Sequence, residues 1–261
     1  LRPTLEHLPV AEFVSPGRFE YYEKIQKEFD FVHVVKWERE FNYSAINNYG
    51  VTFAKGEYLL FLNNDTELIN PESIEEMLGF CQQDEVGVTG VRLLYSDDTI
   101  QHAGVVVGFG GIAGHTFIGL HKAESSYFNR AMCAQNYNAV TAACMMSKRS
   151  LFDQVGGFTE ELAIAFNDID YCMKIRELGK LVVYAPYALF YHYESKSRGL
   201  EDTPEKVARF NEEIKKFADR WPEILKNGDP YYNPNLTLRK SNFALRDLRK
   251  EKIGEPYKLE V

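Results

Sequence analysis

An α/β fold in which helices flank a mostly parallel sheet is expected from three features of the sequence. Tyr58–Leu62 is an almost unbroken apolar run, long enough for a strand buried on both faces and too short for a helix of ordinary length. It ends abruptly in Asn63, Asn64 and Asp65, after which Asn70-Pro71-Glu72 supplies an N-cap residue, a proline at the first helical position and an acidic first turn. Segments of strand length and character recur at residues 86–94, 140–146 and 181–185, with helix-patterned segments between them.

The composition sets the bounds. At 261 residues, 45% hydrophobic and 14% aromatic, the chain can bury one sizeable core without needing a second domain. Its 30 Lys and Arg against 38 Asp and Glu give a net charge of −8 with no basic block, which disfavours nucleic acid as a partner. The same acidity means that a phosphate-bearing substrate needs a divalent cation or local basic groups to offset repulsion. Cys81, Cys133, Cys144 and Cys172 are far apart, form no C-x-x-C pair and lie among apolar residues, as reduced core thiols do. Leu1-Arg-Pro-Thr has no character of a signal peptide, and the longest apolar runs, such as residues 139–146, fall far short of a membrane span. The expectation is a cytoplasmic protein.

Residues 1–9 are compatible with one short helix, and 10–18, with Pro16-Gly17, read as a loop; 19–29 have helical and 31–35 strand character. Ser44 is a candidate cap for a helix that carries Ile46, Tyr49, Phe53 and Ala54 inward and is stopped by Gly56. Beyond the Tyr58–Leu62 strand, Ile74, Met77, Leu78 and Cys81 fall at i, i+3, i+4, i+7, predicting a helix from 71 to about 83 with one stripe on the sheet. Val86–Leu94 is the next strand. The glycine-rich stretch that follows contains, at Gly108, Gly110 and Ala113, a formal G-x-G-x-x-A dinucleotide pattern, but no helix opens after it and it reads as a loop or hairpin.

Residues 140–146 are a further strand, and 147–155 a helix closed by Gly156-Gly157. Asn167-Asp168-Ile-Asp170 opens a helix carrying Cys172, Ile175 and Leu178 and ending at Gly179. Carboxylates in a first turn are routinely cap or dipole partners, so Asp168 and Asp170 have a structural reading beside any chemical one. Residues 181–185 and 188–191 are β-rich, parted by Pro186, and lead to His192. Thr203-Pro204-Glu205 repeats the cap-and-proline signature, and Val207, Phe210, Ile214, Phe217 and Trp221 form one helix face. From 227 on, Asn, Pro, Tyr and charged residues read as an extended tail over the surface. The expected division is a sheet domain over 1–200 and a helical appendage with its tail over 201–261.

In a mostly parallel sheet, Asp65 after a central strand, Asp168 at a helix entrance and His192 after a late strand lie near one sheet edge, where open α/β sheets bind ligands. Mg²⁺ or Mn²⁺ takes oxygen ligands, few of them from protein and the rest from phosphates and water, and Mn²⁺ also accepts imidazole. Asp65 with His192 would suffice. Lys196 and Arg198, with the hydroxyls of Ser195 and Ser197, would supply charge-assisted hydrogen bonds to a diphosphate. His102, His115 and His121 lack zinc-like spacing and read as loop or acceptor-side residues rather than ligands. Trp37, Phe41 and Tyr43 are as suited to core packing as to stacking on a sugar or base.

Asn42-Tyr-Ser44 with Asn47-Asn48-x-Gly50, then Gly56-Glu-Tyr-Leu-Leu-Phe-Leu-Asn-Asn-Asp65, Gly156-Gly157-Phe158, Asn167-Asp168-x-Asp170 and His192-x-x-Ser195-x-Ser197-Arg198-Gly199 together resemble the family 2 glycosyltransferases of GT-A fold, from about residue 19 to 199. In that family a strand-end D-x-D motif places its last carboxylate on the metal that bridges the nucleotide diphosphate; Asp65 matches it. Asn63 stands where the first acid would be, so a ribose contact from it must be an amide hydrogen bond, with Asn64 beside it in the donor site. The resemblance makes Asp168 the catalytic base and His192 a third metal ligand. It implies Mn²⁺ or Mg²⁺ and a nucleotide-diphosphate sugar donor. It also implies a saccharide or lipid-linked acceptor in surface polysaccharide synthesis, with rhamnosyl transfer a frequent label, and inverting displacement at the anomeric carbon. No transmembrane segment is expected; peripheral contact at the inner face of the cell membrane and a homo-oligomer are compatible with it. The family normally begins with a strand ending in Pro-x-Tyr/Phe-Asn and a second ending in an Asp/Asn-rich turn. Neither is recognisable in residues 1–18, so incomplete N-terminal nucleotide-binding strands are expected. Two other classes share parts of this pattern: a nucleotidyltransferase, which would release pyrophosphate, and a noncatalytic carbohydrate-binding or assembly subunit.

Overall fold

The computed structural model describes residues 8–12, 19–193 and 203–256. In chain order its elements are β1 (Leu8–Glu12), α1 (Phe19–Glu28), β2 (Val32–Lys36), α2 (Tyr43–Val51), β3 (Tyr58–Leu62), β4 (Thr66–Leu68), α3 (Ser73–Cys81), β5 (Val86–Leu94) and β6 (Ile100–His102). There follow β7 (Val105–Val107), β8 (Ala113–His115), β9 (Gln135–Tyr137), β10 (Cys144–Lys148), α4 (Arg149–Val155), α5 (Asn167–Glu177), β11 (Leu181–His192), α6 (Pro204–Arg220) and α7 (Pro222–Asn227).

The main sheet runs β3-β10-β5-β11-β4, with β6 on β5 and β9 on β11. The α/β class is as expected, but the sheet is mixed rather than mostly parallel: β10 runs against both β3 and β5, and β5–β11 is its parallel pairing. A parallel neighbour needs a crossover, usually a helix. β10 is instead reached through the hairpins and loops between β5 and β9, so nothing forces it parallel. β5 is buried along its whole length because helices cover both sheet faces. On one face Met77 and Cys81 of α3 pack with Val91, Leu93, Cys144, Met146 and Phe190. On the other, Leu151, Phe152, Tyr171, Cys172 and Ile175 of α4 and α5 pack with Phe61, Val88, Met145 and Val182. Adjacent residues of β3 and β10 alternate between these clusters, the period of two that a strand requires.

Four local expectations are corrected. β1 pairs in parallel with β2 across α1 as a separate two-stranded sheet, so residues 8–12 are a strand rather than the end of a helix and the start of a loop. Pro9 is tolerated in β1 because an edge strand has N–H groups to spare. Residues 13–18, read as part of a loop, lie outside the described residues. Asn42, not Ser44, caps α2, its Oδ1 accepting from Ala45 N at 2.9 Å, while Tyr49 and Phe53 face outward. The two β-rich segments around Pro186 are one strand, β11, with a register shift against β5 between Ala185 and Leu189 that accommodates the proline. Cys133 is exposed, whereas the other three cysteines are buried.

The glycine-rich stretch is the β7–β8 hairpin. Gly104 before it has φ +101°, and a Cβ there would sit 2.3 Å from the Tyr137 ring, so only glycine fits. α6 begins as its cap signature indicates, with Thr203 Oγ1 accepting from Lys206 N. Its stripe docks by the C-terminal half: Phe217 is fully buried, with Ile214 and Trp221 packed against the same cluster, while Val207 and Phe210 remain exposed. The segment after α7 does more than cover the surface. Tyr232, Leu236, Leu238 and Phe243 are buried with Phe109 and Phe117 in a second core, and the Phe117 and Phe243 rings stack at 4.8 Å. Among the described residues no helix is long and apolar enough to cross a membrane.

Candidate active site

The polar tip of β3 is held by its own backbone. Asn63 N donates to Ala143 O at 2.8 Å, and Asn63 O accepts from Thr66 N and Oγ1 at 3.3 and 2.7 Å, reversing the chain into β4. β4 then runs antiparallel to the end of β11 with Thr66 opposite His192, and Tyr193 N donates to Asp65 O at 2.8 Å. This pairing carries Asp65 to His192: Oδ1 lies 3.2 Å from Nε2. Asn63 Nδ2 is 3.4 Å from the same nitrogen, and Asn64 is exposed at the turn tip. Behind the imidazole, Nδ1 is 2.6 Å from Gln101 Oε1, and Gln101 Nε2 donates to His192 O at 3.3 Å.

A carboxylate oxygen and an imidazole nitrogen converging at this separation are a donor set suited to a divalent ion such as Mn²⁺. Among the described residues no group of three or more His, Cys, Asp or Glu is arranged to hold a metal. Lys196, Arg198, Ser195 and Ser197 lie outside the described residues.

Asp168 approaches the same edge from α5. Its Oδ1 accepts from Ile169 N at 2.8 Å and its Oδ2 from Ala142 N at 3.2 Å, next to the Ala143 carbonyl that holds Asn63. Residues 141–143 are thus a rail joining the tip of β3 to the head of α5. Asp168 does not cap the helix; Phe166, at φ +62°, occupies that position. Asp170 has a structural role. It is fully buried, and its oxygens accept from Arg220 Nε at 2.7 Å, Trp221 Nε1 at 2.9 Å and Thr159 Oγ1 at 2.6 Å, pinning α6 to α5.

Two supports of the site carried little signal in the sequence. His102 is wholly buried on the rail's far side, its Nε2 accepting from Thr141 N at 3.4 Å and Gly104 N at 3.3 Å. Burial, reinforced by His115 and His192 nearby, pushes its pKa well below the usual imidazole value and keeps it neutral. His115 packs edge-on against it at 4.7 Å. Glu213 of α6 is also buried, and its two oxygens each accept a backbone N–H, from Ile164 and Ala165, at 3.0 Å. It therefore holds the loop leading to Asp168. The available hint was a glutamate on the apolar face of α6, between Phe210 and Phe217.

The family described as Glycosyl transferase family 2 matches residues 19–156. The chain is 45% identical over 237 residues to the uncharacterized protein y4gI of Sinorhizobium fredii, covering 90% of this chain and 26% of that protein. It is 38% identical over 218 residues to the O-antigen biosynthesis protein RfbC of Myxococcus xanthus, covering 80% of this chain and 16% of that protein. The chain therefore spans only about a quarter and a sixth of the lengths of these two relatives. Over 81 residues, 31% of this chain and 26% of the relative, it is 31% identical to the N-acetylglucosaminyl-diphospho-decaprenol L-rhamnosyltransferase of Mycobacterium tuberculosis. Among solved structures, GalNAc-T7 with UDP, GalNAc and Mn²⁺ superposes with a TM-score of 0.60 at 14% identity, over 84% of this chain and 46% of that one. The mannosyltransferase PcManGT from Pyrobaculum calidifontis, in complex with GDP-Man and Mn²⁺, gives 0.55 at 13% identity, over 80% of this chain and 53% of that one. These two likenesses are of fold, the GT-A fold. With the family match spanning more than half of its residues, the chain belongs to glycosyltransferase family 2.

Proposed function

We propose that this chain is a metal-dependent, inverting glycosyltransferase that moves a sugar from a nucleotide-diphosphate donor to a saccharide or lipid-linked acceptor in surface polysaccharide synthesis. The observation that carries the proposal is the convergence of Asp65 Oδ1 and His192 Nε2 at 3.2 Å, with Asp168 joined to the same strand end through residues 141–143. The relatives named for O-antigen biosynthesis and rhamnosyl transfer, and fold neighbours solved with UDP or GDP-Man and Mn²⁺, support the substrate class.

In this reading Asp65 and His192 hold Mn²⁺ or Mg²⁺, which when bound neutralises the charge of the departing diphosphate. Asn63 offers its amide to the donor, with Asn64 beside it. Ser195, Lys196, Ser197 and Arg198, which follow His192 closely in the sequence, add charge-assisted hydrogen bonds to the diphosphate. Asp168 takes the proton of the acceptor hydroxyl as the new bond forms. A carboxylate has about four lone-pair sites, and the N–H groups of Ala142 and Ile169 engage only some of them. A lipid-linked acceptor brings the reaction to the inner face of the cell membrane.

Calorimetry of the full-length protein with UDP-, GDP- and dTDP-sugars, with and without Mn²⁺, tests the site. Donor binding should require the ion, disappear in Asp65→Ala and weaken in His192→Ala; unchanged binding in Asp65→Ala removes that residue from the site. Mass-spectrometric screening of sugar nucleotides against saccharide and lipid-linked acceptors tests the reaction. A glycosylated product with a nucleoside diphosphate is expected, and release of pyrophosphate would instead identify a nucleotidyltransferase.

A further inference from the structure

We infer that Gln101 is a positioning residue that sets the tautomer of His192 and so presents Nε2 as a lone pair toward Asp65; the inference rests on the metal-site reading of that pair. β6 pairs with the end of β5 through His102 opposite Leu93 and Ile100 opposite Leu94, which leaves Gln101 as the extra residue of a bulge. Bulges beside active sites re-aim side chains. Here the bulge buries the amide of Gln101 against His192.

Both ends of that amide are committed to the one histidine. Its NH₂ faces the His192 carbonyl at 3.3 Å, so its oxygen is the atom 2.6 Å from Nδ1. An amide oxygen only accepts, and Nδ1 must therefore carry the proton. In a neutral ring this leaves Nε2 unprotonated, 3.2 Å from the Asp65 carboxylate and 3.4 Å from Asn63 Nδ2. Two electron-rich atoms facing each other at that distance attract a cation. In the opposite tautomer an Nε2–H would bond Asp65 directly and fill the place of the ion. Gln101 thereby selects between an ion-binding pair and a closed hydrogen bond. His102 and His115 brace this residue: His102 is its neighbour on β6, and His115 Nδ1 lies 3.2 Å from the Gln101 carbonyl.

The test compares Gln101→Met, similar in length but without a strong acceptor, with Gln101→Glu, which keeps an acceptor oxygen. Gln101→Asn, one methylene shorter, withdraws the oxygen in a polar side chain and replaces the Met variant should that one not fold. Ring ¹⁵N NMR of His192 in metal-free protein reads the tautomer. Electron paramagnetic resonance titration with Mn²⁺, alone and with UDP, reads the affinity. Wild type and Gln101→Glu should show protonated Nδ1 and bare Nε2. Gln101→Met or Gln101→Asn should populate Nε2–H and bind Mn²⁺ roughly 10–100-fold more weakly, the usual cost of losing a ligand's hydrogen-bond partner. An unchanged tautomer in these variants overturns the inference. So does a shifted tautomer with unchanged Mn²⁺ affinity while His192→Ala weakens binding. If His192→Ala also leaves Mn²⁺ binding unchanged, the ligand assignment itself has failed, and the inference falls with it.

Discussion

Replacing Asp168 by Asn separates a catalytic carboxylate from a structural one, because the structure bounds what the substitution costs the fold. The carboxylate accepts two backbone N–H groups, from Ile169 and Ala142, and is half-buried. An Asn oxygen keeps one of these bonds and turns an NH₂ toward the other donor, at a cost of about 1 kcal/mol for a partly solvated group. In a chain of this size that lowers Tm by roughly 2–4 °C. Loss of a general base costs on the order of 10²–10⁴ in rate, which at about 1.4 kcal/mol per decade far exceeds the stability effect. Initial rates of nucleoside diphosphate release, measured well below both melting temperatures, should fall by that factor while calorimetric affinities for Mn²⁺ and donor stay near wild type. A rate within about threefold of wild type would refute the assignment. Asp170→Asn is the contrasting case. It removes the buried charge that faces Arg220 and leaves one acceptor oxygen where two served Arg220, Trp221 and Thr159, and should destabilise by about 3 kcal/mol, the low end for a buried pair because Arg220 is partly exposed. Compared at equal folded fraction, it should turn over like wild type; if it is the slower of the two, the base has been misidentified.

Phe217→Ala should destabilise by roughly 3–5 kcal/mol in urea denaturation, since the ring is fully buried, and an unchanged midpoint would show that α6 is not docked. Trp221→Ala should cost less in packing, being half-buried, but should also weaken the hold on Asp170. For His102, burial places the folded-state pKa below the unfolded one, so between the two values the unfolded chain binds the extra proton. Stability therefore rises with pH through that window and falls as pH drops below about 6.5, by up to about 1.4 kcal/mol per unit. Urea denaturation from pH 6.5 to 5.5 should show a flatter slope for His102→Gln than for wild type, and equal slopes would discount the histidine. Gly104→Ala should prevent folding, as the new Cβ meets the Tyr137 ring at 2.3 Å; a soluble variant with wild-type Tm would contradict that packing.

Much of the architecture is legible locally. β5 has the bounds expected of it, and α6 begins at its Thr-Pro-Glu signature. The polar tip after β3 is visible as the break from YLLFL to Asn63-Asn64-Asp65. These features depend on side-chain period, capping and burial, which act over a few residues and are written in consecutive positions. The same holds for Asp168 and Asp170: at about 100° per residue the two point to different sides of the helix, so they cannot share one role.

Which of them faces the rail, however, depends on α6 arriving with Arg220 and Trp221 to claim Asp170. Long-range pairing decides the rest of the site. β4 is a three-residue strand with no period to read, yet its register against β11 is what sets Thr66 opposite His192 and closes Asp65 onto the imidazole. The direction of β10, and the arrival of His192 at the amide of Gln101, likewise follow from partners far along the chain. The sequence alone determined the longer elements, such as β3, β5, α3, α5 and α6, and the candidate donor atoms, because those are properties of neighbours. Only the tertiary structure decided which atoms meet, because strand register and helix docking are settled by burial summed over the whole core.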